Sequence, residues 1–338
     1  MWYAEGDILT PEGFVKGYLG FTQERVMELK DGTPPEKPIV KGLILPAFVN
    51  AHTHLGDSFI KTKNLDLPRN ITELVAPPNG LKHRFLREAT EDEILSGIRT
   101  SLHQMIDTGT SYFCDFREGG ISGVLQLRKA MKAHHVHSVI LSRPVAMKYE
   151  KEEVDRLLQN SDGIGLSSIS DWESSEIEKI ARHARQKKKL FALHASELQR
   201  ENINQILDLK PNLLIHMIAA TEDDLIRVKQ EHIPIVLCPR SYLFFRLKTN
   251  YELMKKHHLP LLLGTDNAMI NTPSIIEEVR TLLTTTHHFS LEELLIMITY
   301  SPRKALNLDD GIQALNPLEH FVVLERDSFN LLYNSMGK

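Results

Sequence analysis

Eight short apolar runs, each followed by a stretch of helical character, recur along most of this 338-residue chain. They are Leu43–Asn50, Ser111–Phe116, Ser138–Arg143, Gly163–Ile169, Leu190–His194, Asn212–Met217, Ile233–Cys238 and Leu259–Gly264. Several are nearly continuous in Ile, Leu and Val, the pattern of parallel strands buried on both faces. The intervening stretches carry helix start signals. Thr90-Glu-Asp-Glu93 is a capping box ahead of Ile94, Leu95, Ile98, Leu102, Met105 and Ile106, and Gly109 is placed to end that helix. Ser290-Leu-Glu-Glu293 repeats the device, and Thr272-Pro273 predicts a cap with proline at the first helical position. Strand then helix, eight times over, predicts an α/β fold, a (β/α)8 TIM barrel. A doubly wound open sheet is the competing reading. The count of eight weakens it, as does the lack of any Gly-x-Gly-x-x-Gly after a strand.

The two ends do not follow this rhythm. Residues 1–41 read as short strands and turns, with a Gly-Thr-Pro-Pro loop at 32–35, and Phe321-Val-Val-Leu reads as one more strand. The expectation is that segments 1–45 and 306–338 pair into a small β-sandwich domain beside a barrel of residues 46–305. The polar, proline-containing stretch Asp57–Lys82 directly follows the first barrel strand and is a candidate loop over the barrel mouth.

Composition excludes several classes. With 42% hydrophobic and 25% charged residues and a net charge of −4, the chain is that of a soluble globular protein with no basic excess for nucleic acid. No run approaches a membrane span, and Met1-Trp-Tyr-Ala-Glu-Gly-Asp has no secretory pattern, so a cytoplasmic protein is expected. The two cysteines, Cys114 and Cys238, lie in apolar runs and are expected to be reduced. The absence of Cys-x-x-Cys excludes the zinc-deaminase pattern built on that turn. The pairs His134-His135, His257-His258 and His287-His288 read as solvated.

A barrel of this kind carries its chemistry at the C-terminal ends of its strands. The first run continues into His52-Thr-His54, the fifth ends in His194-Ala-Ser-Glu197, the sixth in His216 and the eighth in Gly264-Thr-Asp266-Asn267. A strand directs alternate side chains to one face, so His52 and His54 project together. Taken alone, a histidine at a strand end reads more readily as a hydrogen-bonded structural residue, and an aspartate after Gly-Thr as a turn or helix cap. Their coincidence on the tips of one barrel points to a metal site. Three imidazoles and a carboxylate suit zinc, with iron as the alternative, and leave a position open for water. Such an ion lowers the pKa of bound water to near 7, giving hydroxide at neutral pH. Asp266 is then both a ligand and a proton acceptor, Glu197 a proton donor and His216 an electrostatic stabiliser.

At these residues the chain resembles the amidohydrolase superfamily, in its cytosine deaminase-like and chlorohydrolase branch. The matching pieces are Pro46-Ala-Phe-Val-Asn-Ala-His52-Thr-His54-Leu, His194-Ala-Ser-Glu197, His216, Leu237-Cys-Pro-Arg-Ser241 and Gly264-Thr-Asp266-Asn267, in the family's order. Asp310-Gly-Ile and His320-Phe-Val-Val-Leu resemble its C-terminal return strand. The resemblance implies metal ligation by His52, His54, His194 and Asp266 and catalytic roles for Glu197 and His216. It also implies hydrolytic removal of ammonia from a small heterocycle such as a purine, pyrimidine or pterin. Hydrolysis of a cyclic amide or a C–Cl bond by the same site is the alternative, and a catalytically silent barrel that binds a small molecule is a third reading. No lysine stands in Gly163–Ser170, which favours one metal over a lysine-bridged pair; Lys148 is a remote candidate for such a bridge. Where the branch commonly has Asn after Ser241, this chain has Tyr242. Arg117-Glu118, Arg143 and Arg240 read equally as an anion subsite and as structural ion pairs. The expected partner is the substrate alone, with neither nucleic acid nor membrane, and a homo-oligomer is compatible with the sequence.

Overall fold

The computed structural model describes residues 1–23, 25–308 and 320–337. Four strands open the chain: β1 (Trp2–Thr10), β2 (Gly13–Phe21), β3 (Val26–Asp31) and β4 (Val40–Pro46). The barrel strands follow as β5 (Phe48–His54), β6 (Thr110–Arg117), β7 (His137–Ser142), β8 (Gly163–Leu166), β9 (Leu190–Ala195), β10 (Leu213–His216), β11 (Ile235–Leu237) and β12 (Leu261–Leu263), extended by the two-residue β13 (Asp266–Asn267). β14 (Phe321–Leu324) and β15 (Leu331–Asn334) end the chain.

The second sheet runs β12-β11-β10-β9-β8-β7-β6-β5-β13, so neighbours in sequence are neighbours in space. All its pairings are parallel, and β13 pairs with β5 through Asp266 opposite Thr53 and Asn267 opposite His54. Only Gly264-Thr265 separate β12 from β13, so this pairing closes the ring as a (β/α)8 barrel. The seam is tight: Thr265 N–H donates to His52 O at 3.0 Å, and Gly264 N–H to Leu237 O at 2.9 Å. A Cβ on Gly264 would lie 2.7 Å from His52 Cβ, which no real side chain tolerates. Closure therefore requires glycine beside His52.

The terminal strands form one six-stranded sheet in the order β15-β14-β4-β1-β2-β3, with β1 antiparallel to β2 but parallel to β4. Ala4, Ile8, Leu19, Phe21, Ile44, Phe321 and Val323 make its core. The Asp310-Gly311-Ile312 stretch lies outside the described residues.

Two expected boundaries move. The single run Leu43–Asn50 is two strands: Pro46 ends β4, whose Leu43–Pro46 pair with Leu324–Phe321, and Phe48 starts the barrel. Thr272-Pro273 does not open a helix. The helix is Ile276–Thr285, because the carbonyls of Thr272 and Ser274 accept from the Arg240 guanidinium at 2.7 and 3.1 Å. Both predicted capping boxes form, on helices Glu91–Asp107 and Leu291–Ile296. Asp57–Lys82 does cover the mouth, but in part as helix, with Leu55–Lys63 a 3-10 helix and Ile71–Leu74 and Leu81–Glu88 α-helical. Among the described residues no helix is long and apolar enough to cross a membrane.

Candidate active site

His52 and His54 end β5, with Thr53 between them facing away and donating to Asp115 Oδ2 at 3.0 Å. The same carboxylate oxygen accepts from Leu55 N–H at 2.7 Å, so Asp115 clamps the strand tip and both imidazoles face the barrel axis. His194 comes from β9 and Asp266 from β13. One ligand atom from each of His52, His54, His194 and Asp266 falls within 4.8 Å of the others. His52 Nε2 lies 3.4 Å and His54 Nε2 3.6 Å from Asp266 Oδ1, and His54 Nε2 lies 3.3 Å from His194 Nε2.

The residues fit a metal ion on their own evidence. His52 is fully buried, yet its Nδ1 has no hydrogen-bond partner and its Nε2 has only the 3.4 Å approach to Asp266 Oδ1, an expensive state for a polar group unless something else binds it. The outward nitrogens of the other two imidazoles are engaged. His194 Nδ1 faces Leu166 O at 2.8 Å, and His54 Nδ1 faces Glu118 Oε1 at 2.9 Å and Phe116 O at 3.1 Å. These contacts leave both Nε2 atoms free as inward ligands, the arrangement typical of metal-binding histidine.

A second group shares Asp266. Glu197 and His216 converge on it, with His216 Nε2 3.5 Å from Glu197 Oε2. The Tyr242 hydroxyl sits 3.2 Å from His216 Nδ1 and is itself buried. Ser196, His216, Met217 and Asp266 all hold left-handed φ angles, 44°, 76°, 56° and 59°. For residues with side chains such angles cost about 1–3 kcal/mol each and persist only where the surroundings enforce them, commonly at functional sites.

Burial and charge divide these groups. Burial drives His216 down to about 3 and His54 to about 4, the latter helped by Lys82, so both imidazoles are neutral at pH 7. Burial opposes ionisation of Asp266, but contact with His52 and the adjacent His216 and His54 hold its carboxyl well below the usual range. Burial and the Asp266 charge push Glu197 well above it. The site thus pushes the two neighbouring carboxyls apart, Asp266 toward the ionised form and Glu197 toward the protonated one, the pairing expected of a base and an acid.

The structure brings all six predicted site residues together. It also places Lys82, Glu118, Asp57 and Asn267 in the same polar cluster, a connection that sequence spacing did not signal. Lys148 stands apart, paired at the surface with Glu150 at 2.6 Å. Of the three arginines, only Arg143 lines the cavity at the mouth, of about 200 Å³, together with Lys82, His83, Asp171 and Glu201. Arg117 is tied to Gly123 O at 2.9 Å, and Arg240 to Glu278 and the Thr272–Ser274 turn. The histidine pairs read as solvated lie outside this site, though His257 contacts Glu222 at 2.7 Å.

A closed (β/α)8 barrel with three imidazoles and a carboxylate gathered at its strand tips is an architecture that metal-dependent hydrolases use. The chain belongs to the amidohydrolase family, whose model it matches over residues 43–317. It is 34% identical to an uncharacterised protein of Methanocaldococcus jannaschii, over 92% of this chain and 84% of that one. It is 23% identical to a 5-methylthioadenosine/S-adenosylhomocysteine deaminase of Thermoanaerobacter pseudethanolicus, over 93% and 77% of the two chains. The solved aminofutalosine deaminase of Helicobacter pylori shares the fold, with a TM-score of 0.72 at 16% identity over 99% of this chain and 94% of that one.

Proposed function

We propose that this protein is an aminohydrolase that removes ammonia from an amino-substituted purine, pyrimidine, pterin or related ring. The observation that carries the reading is the convergence of Asp266 and Glu197, whose carboxyls are pushed in opposite directions, beside the site histidines. His52, His54, His194 and Asp266 would hold one divalent ion, and zinc suits that donor set. When bound, the ion supplies a water acid enough to ionise near neutral pH. Asp266 takes up the proton that water gives off. Glu197 Oε donates a proton to the ring nitrogen beside the carbon under attack and afterwards helps the amino group leave as ammonia. A C–O bond forms, the C–N bond breaks, and the balance is one water consumed for one ammonia released. Tyr242 O–H can donate to His216 Nδ1, and in that tautomer the proton of neutral His216 is on Nε2, on the side of Glu197, where it can stabilise developing charge.

The deaminase named among the relatives supports a heterocyclic amine as substrate. Two buried free cysteines, Cys114 and Cys238, support a reducing, cytoplasmic setting. The experiment is Asp266→Asn, assayed for bound metal and for ammonia release over a panel of amino-heterocycles. The expected outcome is loss of turnover by at least about a hundredfold. Unchanged turnover of a confirmed substrate contradicts the assignment, and turnover without ammonia points to cyclic amide or C–Cl hydrolysis.

A further inference from the structure

Lys82 is only 2% exposed, although it belongs to the segment that crosses the barrel mouth. Ile71, Thr72, Val75, Ala76, Pro77, Lys82 and His83 of that segment form one wall of the cavity. Lys82 Nζ lies 2.6 Å from Glu118 Oε1, donates to Asn267 Oδ1 at 2.9 Å, and lies 3.4 Å from Asp57 Oδ2. Two of these partners lead straight to candidate ligands. Glu118 Oε1 is the atom 2.9 Å from His54 Nδ1, and Asn267 Nδ2 donates to Asp266 Oδ1 at 2.8 Å. One cation on the covering segment is thus a single side chain away from ligands on both β5 and β13.

We propose that Lys82 is a positioning residue that joins the mouth-covering segment to the metal centre, so that occupancy of the centre and closure of residues 71–83 reinforce each other. The inference rests on the metal assignment above. A ligand imidazole binding through Nε2 keeps its proton on Nδ1 and gives it to Glu118, which holds the Glu118 carboxylate in place for Lys82. A ligand Asp266 likewise holds the Asn267 amide, whose oxygen faces Lys82. Ordering the ligands orders the acceptors, and the acceptors order the segment. By linkage, the segment in turn favours the occupied centre. Apolar packing gives the segment a second, metal-indifferent hold. Leu74 is fully buried, and Ile71, Val75 and Phe85 pack on the same cluster. A purely structural Lys82 would loosen the segment equally with and without metal when removed.

The test is amide hydrogen exchange over residues 71–88, zinc-free and zinc-saturated, in the unchanged protein and in two variants. Lys82→Met cuts the link. Lys82→Met/Glu118→Gln cuts it without leaving a lone buried carboxylate at Glu118, which guards against misfolding. In the unchanged protein zinc is expected to slow exchange there by about tenfold, within the range usual for coupled sites. In the variants at equal zinc content the slowing is lost. Variants that bind zinc and keep the full slowing overturn the link, as does an unchanged protein that binds zinc with no slowing. An unchanged protein that takes up no zinc overturns the metal assignment and the link together, and zinc content tells these failures apart.

Discussion

The barrel sheet and the terminal sheet both bury apolar side chains, but only the barrel also buries charge. Among the described residues of β1–β4, β14 and β15, every buried side chain is apolar or tyrosine. At the barrel mouth His52, Asp57, Lys82, Glu118, His216 and Asp266 are all buried. Buried ionisable groups and left-handed backbone are costly and are kept where function needs them, whereas an apolar sheet only has to pack. Stability and chemistry are therefore separable in this molecule, and substitutions in the two regions should fail in different ways.

The largest effect is expected at the mouth. Glu197→Gln keeps shape and removes the transferable proton, so kcat should fall by about 10²–10⁴-fold with bound metal and denaturation midpoint nearly unchanged. A fall in midpoint with kcat intact would reverse the roles of the two regions. In the terminal sheet, Phe321 is 1% exposed and packs on Phe21 and Tyr333 at centroid distances of 4.9 and 5.4 Å. Phe321→Ala should cost about 3–5 kcal/mol of unfolding free energy. Ammonia release per folded molecule should not change; a large loss there would mean the sheet shapes the site.

Acid should separate the regions more gently. Burial is the main cause that lowers His83 and His216 to about 3 and His54 to about 4, and it lowers His194 in the same direction. Each is neutral in the fold but takes a proton near pH 6.5 when unfolded. Their contribution is therefore full above pH 6.5 and is lost as pH falls toward 4, at about 1.4 kcal/mol per histidine per pH unit. Buried carboxyls oppose them over this window: burial pushes Asp57 and Glu278 to about 7 and raises Glu197, Asp115 and Asp171, so each gains stability as it takes up a proton. The histidine contribution is therefore read as a difference between variants. In metal-free protein, His83→Gln cannot take up the proton, so its denaturant midpoint should fall less, or rise more, between pH 6.5 and 5 than that of the unchanged protein, whereas Phe321→Ala should keep the unchanged slope. An unchanged slope in His83→Gln contradicts the histidine contribution.

What the sequence could reveal follows the same division. The barrel was legible because apolar runs and capping boxes are local signals, and β6, β7 and β9 start and end within one residue of the predicted runs. The six site residues were legible because they end those runs. Lys82 and Glu118 were not. A lysine followed by histidine in a short helix carries no periodic mark of burial, and only the fold carries it to Glu118, beyond the next strand. Tyr242 read as a departure from the family pattern. Its hydroxyl meets His216, a contact between β10 and the short helix Pro239–Phe245 after β11 that no spacing encodes. The split at Pro46 was hidden because apolar residues flank it on both sides.

Removal and return of the metal tests the central claim most directly. Chelated, metal-free protein should release no ammonia from a confirmed heterocyclic substrate, and reloading with zinc to one ion per chain should restore turnover. Undiminished ammonia release from metal-free protein, or a requirement for two ions per chain, would contradict the assignment of His52, His54, His194 and Asp266 as a single-metal centre.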